Sequence, residues 1–232
     1  MNPAQKVLLW VFLPITALIV LLDNLHPGVA GVNYFKFAVI ASLFLSALAL
    51  RNRYREQVKL TAAVFFAVAG DFFLNFCSTL PKLADRVMPY GELAFLFAYL
   101  LIIGVFAKGF RIGPKELFAA VPVLGVFIPN LAVLSHHISR PHFLGALLFG
   151  LVLAFMAWVS ACATFSGCYR PDVSRCMALA GLLIFISDTA LAHSLFNPEF
   201  AGHFVPWLKN IIWGAYVPAW TLVVVIIAED RL

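Results

Sequence analysis

The chain has 232 residues, of which 63% are hydrophobic and only 12% charged, with a mean hydropathy of +0.96. That composition excludes an ordinary soluble domain and describes a polytopic membrane protein. The formal charge of +5 does not signal nucleic acid, because the basic residues lie between apolar runs, where they act as topology determinants.

At about 20 residues per span, this length allows roughly eight helices and no separate soluble domain. Spans are predicted at about 7–22, 34–50, 58–77, 90–107, 116–134, 142–165, 175–195 and 205–228, placed by their apolar runs. The expected fold is therefore all-α, a single transmembrane bundle over 1–232. Lys6 ahead of the first run imitates a signal peptide, but no Ala-x-Ala-like site precedes Asp23, so the run is read as the first helix. Pro14, Pro122, Pro129 and Pro218 fall inside spans and should bend them, which a bundle tolerates when neighbours satisfy the freed carbonyls. In the sixth span Ala146, Gly150 and Ala154 form a small-xxx-small stripe suited to close packing. Trp10, Tyr34, Tyr90 and Trp207 fall near the expected interfaces, as an aromatic belt does.

Basic residues set the expected orientation. Lys6, Arg51, Arg53, Arg55, Lys59, Lys108, Arg111, Lys115, Arg170, Arg175 and Arg231 collect on one face; Lys36, Lys82, Arg86, Arg140 and Lys209 belong to the other. The positive-inside rule then places both termini in the cytoplasm, and a bacterial source would place the protein in the inner (plasma) membrane. The four cysteines, Cys77, Cys162, Cys168 and Cys176, form no Cys-x-x-Cys pair and read as small apolar fillers. His26, His136, His137, His142 and His203 fall in the outer connections or at their edges, without the helical spacing that would make a zinc site; no metal or other cofactor is expected.

Two spans carry a carboxylate, in Ala69-Gly70-Asp71-Phe-Phe-Leu74-Asn75 and in Ile186-Ser187-Asp188-Thr-Ala-Leu191. Ionisable residues within a span are costly and by default mark a functional site. Each aspartate lies 13 residues beyond the expected start of its span, at Val58 and Arg175, or about 20 Å at 1.5 Å per residue. Both should therefore sit at one level in the outer half. Four helices separate them, so the chain admits a division into two parallel four-helix repeats with a site at their interface.

Further polar residues converge on that level: Lys36, Glu92, Tyr99 and Tyr216, with Asn75 one turn beyond Asp71 and His193 beyond Asp188. Each has a plainer reading. Lys36 and Glu92 could snorkel to the interface, and the tyrosines could be packing residues with satisfied hydroxyls.

These stretches resemble the lysoplasmalogenase (YhhN-type) family of integral membrane proteins. The resemblance is carried by Ala69-Gly70-Asp71-Phe-Phe-Leu74, by Phe185-Ile-Ser187-Asp188-Thr-Ala-Leu191-Ala, by Tyr34-Phe-Lys36, by Gly91-Glu-Leu-Ala-Phe95 and by the Tyr216 region. It extends over nearly the whole chain. Departures from the family's usual pattern are Phe37 in place of Pro, Tyr99 in place of His, and Trp220 near a usual Gln. The resemblance implies eight spans and an ether hydrolase, which cleaves the vinyl-ether bond of a lysophospholipid substrate in the bilayer to give fatty aldehyde and glycerophosphoethanolamine or glycerophosphocholine.

The chemistry of such a bond fits two carboxylates. A vinyl ether resists base but opens when an acid protonates its β-carbon, and water captures the resulting oxocarbenium ion. Burial and a second carboxylate both disfavour charge, so a buried pair can hold one proton near neutral pH and supply acid, counter-charge and base. Asp71 and Asp188 are the expected dyad, Lys36 would attract the lipid phosphate, and Asn75, Ser187 and His193 would orient water or the carboxylates. Three other readings stand beside this one: a non-enzymatic lipid-binding or transport protein with a proton- or ion-linked Asp pair, a metal-dependent lipid amidase or esterase using the outer histidines, and a structural role for the aspartates. The sequence leaves open the headgroup, the chain length, the oligomeric state and which aspartate is the acid.

Overall fold

The structure is a computed structural model that describes residues 1–50, 53–138, 140–200 and 204–230. Arg51, His203 and Arg231 lie outside the described residues, as do the side chains of Lys82, Arg140 and His142. The described elements are all helical: α1 (Pro3–Leu25), α2 (Ala30–Ala49), α3 (Arg55–Asp71), α4 (Pro81–Phe106), α5 (Pro114–Ser135), α6 (Arg140–Cys162), α7 (Pro171–Phe196) and α8 (Pro206–Ile227). All eight contain a stretch long and apolar enough to cross a membrane, so the chain is an integral membrane protein.

Local sequence explains where these helices begin. Proline occupies the first turn of α1, α4, α5, α7 and α8, where its missing N–H would have no helical partner in any case. Asn2 and Gln5 add a reciprocal capping box to α1. Because of these starts, α7 opens at Pro171 rather than near 175 and α4 at Pro81 rather than 90. Pro89 therefore lies inside α4, along with Pro14, Pro122, Pro129 and Pro218 inside their own helices.

Both termini lie at one end of the bundle, called here the terminal face. Gln5 donates to the Val225 carbonyl at 3.1 Å, and Gln57 donates to the carbonyls of Ile227 at 2.8 Å and Glu229 at 2.7 Å. These amides satisfy carbonyls that the end of α8 leaves without helical partners. At the same face Lys108 donates to Glu56 at 2.7 Å, a bond that holds its ammonium above the usual lysine range. The Tyr169 hydroxyl, buried while donating to the Val105 carbonyl at 2.8 Å, is pushed up by desolvation.

The core is built around α8. In its most apolar stretch 72% of the residues are buried, against 17% in α5, so α8 is the central helix and α5 a peripheral one that packs on α6 and α7. Outward-facing apolar side chains such as Trp10, Phe118 and Leu144 present the surface that lipid requires. In the small-residue stripe of α6, Gly150 is closely approached, since a Cβ there would lie 3.0 Å from the Phe127 ring of α5, whereas Ala146 borders a cavity rather than a tight helix contact.

A tighter approach joins α6 and α7. A Cβ added to Gly181 would overlap the Ser160 side chain, whose hydroxyl is already committed to the Met156 carbonyl at 2.6 Å. Gly181→Ala should lower stability by about 1–3 kcal/mol through overpacking. Thermal unfolding in detergent measures this, and Ser160→Gly in the same chain should restore most of the loss.

The helix pairing matches the division suggested by the aspartate spacing only in part: α1 packs on α8 and α3 on α8 without equivalent α4–α5 and α4–α7 packing. The pairs α2–α3 and α3–α4 correspond to α6–α7 and α7–α8, and α4 packs on α6 as α8 packs on α2. One contact between the halves is thus repeated, α4 on α6 and α8 on α2.

Candidate functional site

The first carboxylate stands where α3 changes its winding. Asp71 is the last α-helical residue, and Phe72–Phe76 continue as a π-helical turn, followed by a 3₁₀ turn at Cys77–Thr79. Single π turns inside helices recur at functional sites. Here the turn keeps Asn75 over Asp71, and its amide donates to Asp71 Oδ1. The small residue before the aspartate has a packing reason: a Cβ on Gly70 would come within 2.6 Å of the Phe95 ring, so only glycine lets α4 approach this closely.

Phe95 in turn separates two tyrosines. Its ring lies 6.1 Å from Tyr99, nearly parallel, and 6.1 Å from Tyr216, edge-on. Tyr216 of α8 donates to Asp71 Oδ2 at 2.7 Å, and Tyr99 of α4 donates to Asp188 Oδ2. All four side chains are buried.

These partners are related by the internal spacing. The interval from Asp71 to Asp188 equals that from Tyr99 to Tyr216, so each half contributes one aspartate and, on its next helix, one tyrosine. The hydrogen bonds cross, each tyrosine serving the aspartate of the other half. This correspondence extends the short aspartate echo to a second pair of residues and is the strongest sequence trace of the two-part architecture.

Both carboxylates line one polar cavity of about 470 Å³, with Asn75, Ser187, Lys36 and Tyr216 also on its wall. A second, apolar cavity of about 130 Å³ lies among α4, α5, α6 and α7, lined by residues such as Phe127, Ala146, Leu147, Gly150 and Phe185. Asp188, but not Asp71, lines both cavities, together with Leu74, Phe95, Leu191 and Leu195. A carboxyl group therefore sits where a polar compartment meets an apolar one.

The other anticipated residues fall in different places. Lys36 does not reach for the interface: it is buried, its ammonium 2.7 Å from Asp23 Oδ1 and over the Trp213 ring at 4.7 Å from the centroid. Ser187 donates to the Ile212 carbonyl at 3.1 Å rather than to a carboxylate. His193 is held by Asn130 of α5 and by Asn197, away from both aspartates. Glu92 lines the apolar cavity. Among the described residues, no group of three or more His, Cys, Asp or Glu is arranged to hold a metal.

Sequence reasoning missed Asp23 and Lys209, which join Lys36 on the wall of the polar cavity. Asp23 had served only as the limit of the first apolar run, and Lys209 only as a basic residue of the outer face. A signal was available: an acid in the last turn of α1 and a lysine 13 residues on, early in α2, are separated by a hairpin and so can pair.

The start of α7 at Pro171 and of α3 at Arg55 also revises the depth of the site. The aspartates stand about 24 Å and about 26 Å from those starts at 1.5 Å per residue, still level with each other but further from the terminal face than the predicted spans implied.

Comparison with curated proteins gives no match, and comparison with solved structures gives none. The family model described as YhhN matches residues 32–226, a stretch that includes both aspartates, both crossing tyrosines and nearly all of α2 to α8. The chain therefore belongs to the YhhN family.

Proposed function

We propose that the protein is a lysoplasmalogenase, an ether hydrolase that opens the vinyl-ether bond of lysoplasmalogens. The observation that carries this reading is the position of Asp188 at the junction of the polar and apolar cavities. A lysoplasmalogen has its labile bond at the same kind of junction, between a glycerophospho headgroup and a hydrocarbon chain. Family membership supports the class of reaction.

In the proposed mechanism Asp188 is the acid. It borders the apolar cavity and so faces the β-carbon, the alkenyl atom on the chain side. Asp71 accepts from both Asn75 and Tyr216, a donor set suited to an ionised carboxylate. Asp188 protonates the β-carbon, and the negative charge left on it stabilises the oxocarbenium ion. Water adds to the α-carbon while Asp71 takes its proton, giving a hemiacetal. The hemiacetal hydroxyl returns a proton to Asp188 as Asp71 protonates the departing glycerol oxygen. Aldehyde and glycerophospho alcohol are released, and both carboxyl groups regain their starting states.

The direct test is incubation of purified protein with an alkenyl lysophospholipid and with its acyl counterpart. Aldehyde from the first and no hydrolysis of the second is the expected result. Binding or vesicle flux of the alkenyl lipid without aldehyde would replace hydrolysis by lipid carriage.

The apolar cavity gives a second expectation. Ala146→Trp should fill it, raising KM for long alkenyl chains by about tenfold, equivalent to about 1.4 kcal/mol of lost binding, while short-chain substrates keep close to the parent kcat/KM. A series of substrates differing only in chain length measures the change.

A further inference from the structure

The polar cavity contains a charged cluster that proton transfer to the vinyl ether does not use. Asp23 is in the last turn of α1, Lys36 in the second turn of α2 and Lys209 in the first turn of α8. All three line the cavity, in the helix halves remote from the terminal face. Asp23 and Lys36 are buried, with Asp23 Oδ1 accepting from Lys36 at 2.7 Å.

Two features of this cluster remain unmatched within the described residues. Asp23 Oδ2 is buried and has no hydrogen-bond partner, although buried polar atoms are normally satisfied and exceptions call for an explanation. The cluster also has two ammonium groups and one carboxylate; Lys209 feels the charge of Asp23 but has no ion pair with it. The cluster therefore offers one cation in excess and, beside it, one unused carboxylate oxygen, with Asp71 and Asp188 elsewhere on the same wall.

We propose that this cluster is the headgroup subsite, in which Lys209 holds the phosphate and Asp23 Oδ2 accepts a hydrogen bond from a protonated amine, so that ethanolamine headgroups are preferred to choline headgroups. The assignment rests on the lysophospholipid reading above. A phosphoethanolamine presents one anion and one N–H-bearing cation, the complement of what the cluster leaves unmatched. A choline headgroup has the same charges but no N–H to donate. At Trp213, beside this cluster, the aromatic face that could take a quaternary ammonium by cation–π contact is already occupied by Lys36. Lys36 acts through Asp23, fixing its carboxylate so that Oδ2 remains available, and is a positioning residue.

The test measures binding without turnover. Purified full-length protein is titrated calorimetrically with glycerophosphoethanolamine, its N-methyl and N,N-dimethyl derivatives, glycerophosphocholine and glycerol 3-phosphate. Affinity should hold while an N–H remains and fall about tenfold at the third methyl group. Lys209→Gln should weaken the whole series alike, and Asp23→Asn should remove the step. A flat series in the parent protein overturns the proposal, as does a step that survives in folded Asp23→Asn; if Asp23→Asn does not fold, the parent series alone decides. Aldehyde release with a flat series would sink the subsite and leave hydrolysis standing. A stepped series without aldehyde release would do the reverse.

Discussion

Asp188→Asn is expected to give a protein that unfolds close to the parent temperature yet releases aldehyde at least about 10³-fold more slowly, within the range attributed to a positioned general acid or base. Asparagine keeps the shape of the side chain and an oxygen that can accept from Tyr99, the hydrogen bond that aspartate makes in the fold. It cannot deliver a proton to carbon or leave a negative charge beside the cation. Asp71→Asn should show a loss of similar size for a different reason: the amide cannot take the proton of the attacking water. Because the two groups act in one proton cycle, the double variant should be little slower than either single one. Single-turnover aldehyde release together with thermal unfolding separates the outcomes. Folded variants with parent rates would remove the carboxylates from the chemistry, and loss of folding in both would give them a structural role.

Much of the scaffold was legible in the sequence because a membrane leaves few options. With no water to satisfy backbone groups, an apolar run of this length must be helical, and the eight runs followed. Span ends were less legible, because proline in a first turn starts a helix in polar sequence ahead of the apolar run, as at Pro81 and Pro171. The aspartates stood out because charge in a span is costly. Tyr99 was placed at the level of the site but not joined to an aspartate: a tyrosine in a span is ordinary until its hydroxyl is placed, and its partner lies 89 residues away on a helix of the other half. The equal spacing of the Asp and Tyr pairs was present in the sequence but becomes informative only once the hydrogen bonds join them. Lys36 was expected near the interface and is instead buried, because burial of a lysine depends on Asp23, a partner supplied by another helix.

The crossing of those hydrogen bonds gives the second large expectation. Tyr99→Phe removes the donor that Asp188 accepts from, and Tyr216→Phe removes one of the two side chains, Asn75 and Tyr216, that donate to Asp71. A hydrogen bond to a charged group contributes about 1.5–3 kcal/mol, so each change should lower kcat by about 10- to 100-fold. Tyr99→Phe acts on the acid, which has no other side-chain donor among the described hydrogen bonds, and should cause the larger loss; Asn75 still orients Asp71 when Tyr216 is changed. Pairing can be read from stability without any turnover, using double-mutant cycles. Coupling should appear between Tyr99 and Asp188 and between Tyr216 and Asp71, each pair spanning the two halves. It should be much weaker for Tyr99 with Asp71 and for Tyr216 with Asp188, the pairs that belong to one half in sequence. The opposite pattern would mean that each half completes its own site. The crossed pattern would mean that each half lends the other a tyrosine for its carboxylate, so that the full set of hydrogen bonds on the pair exists only where the two halves meet.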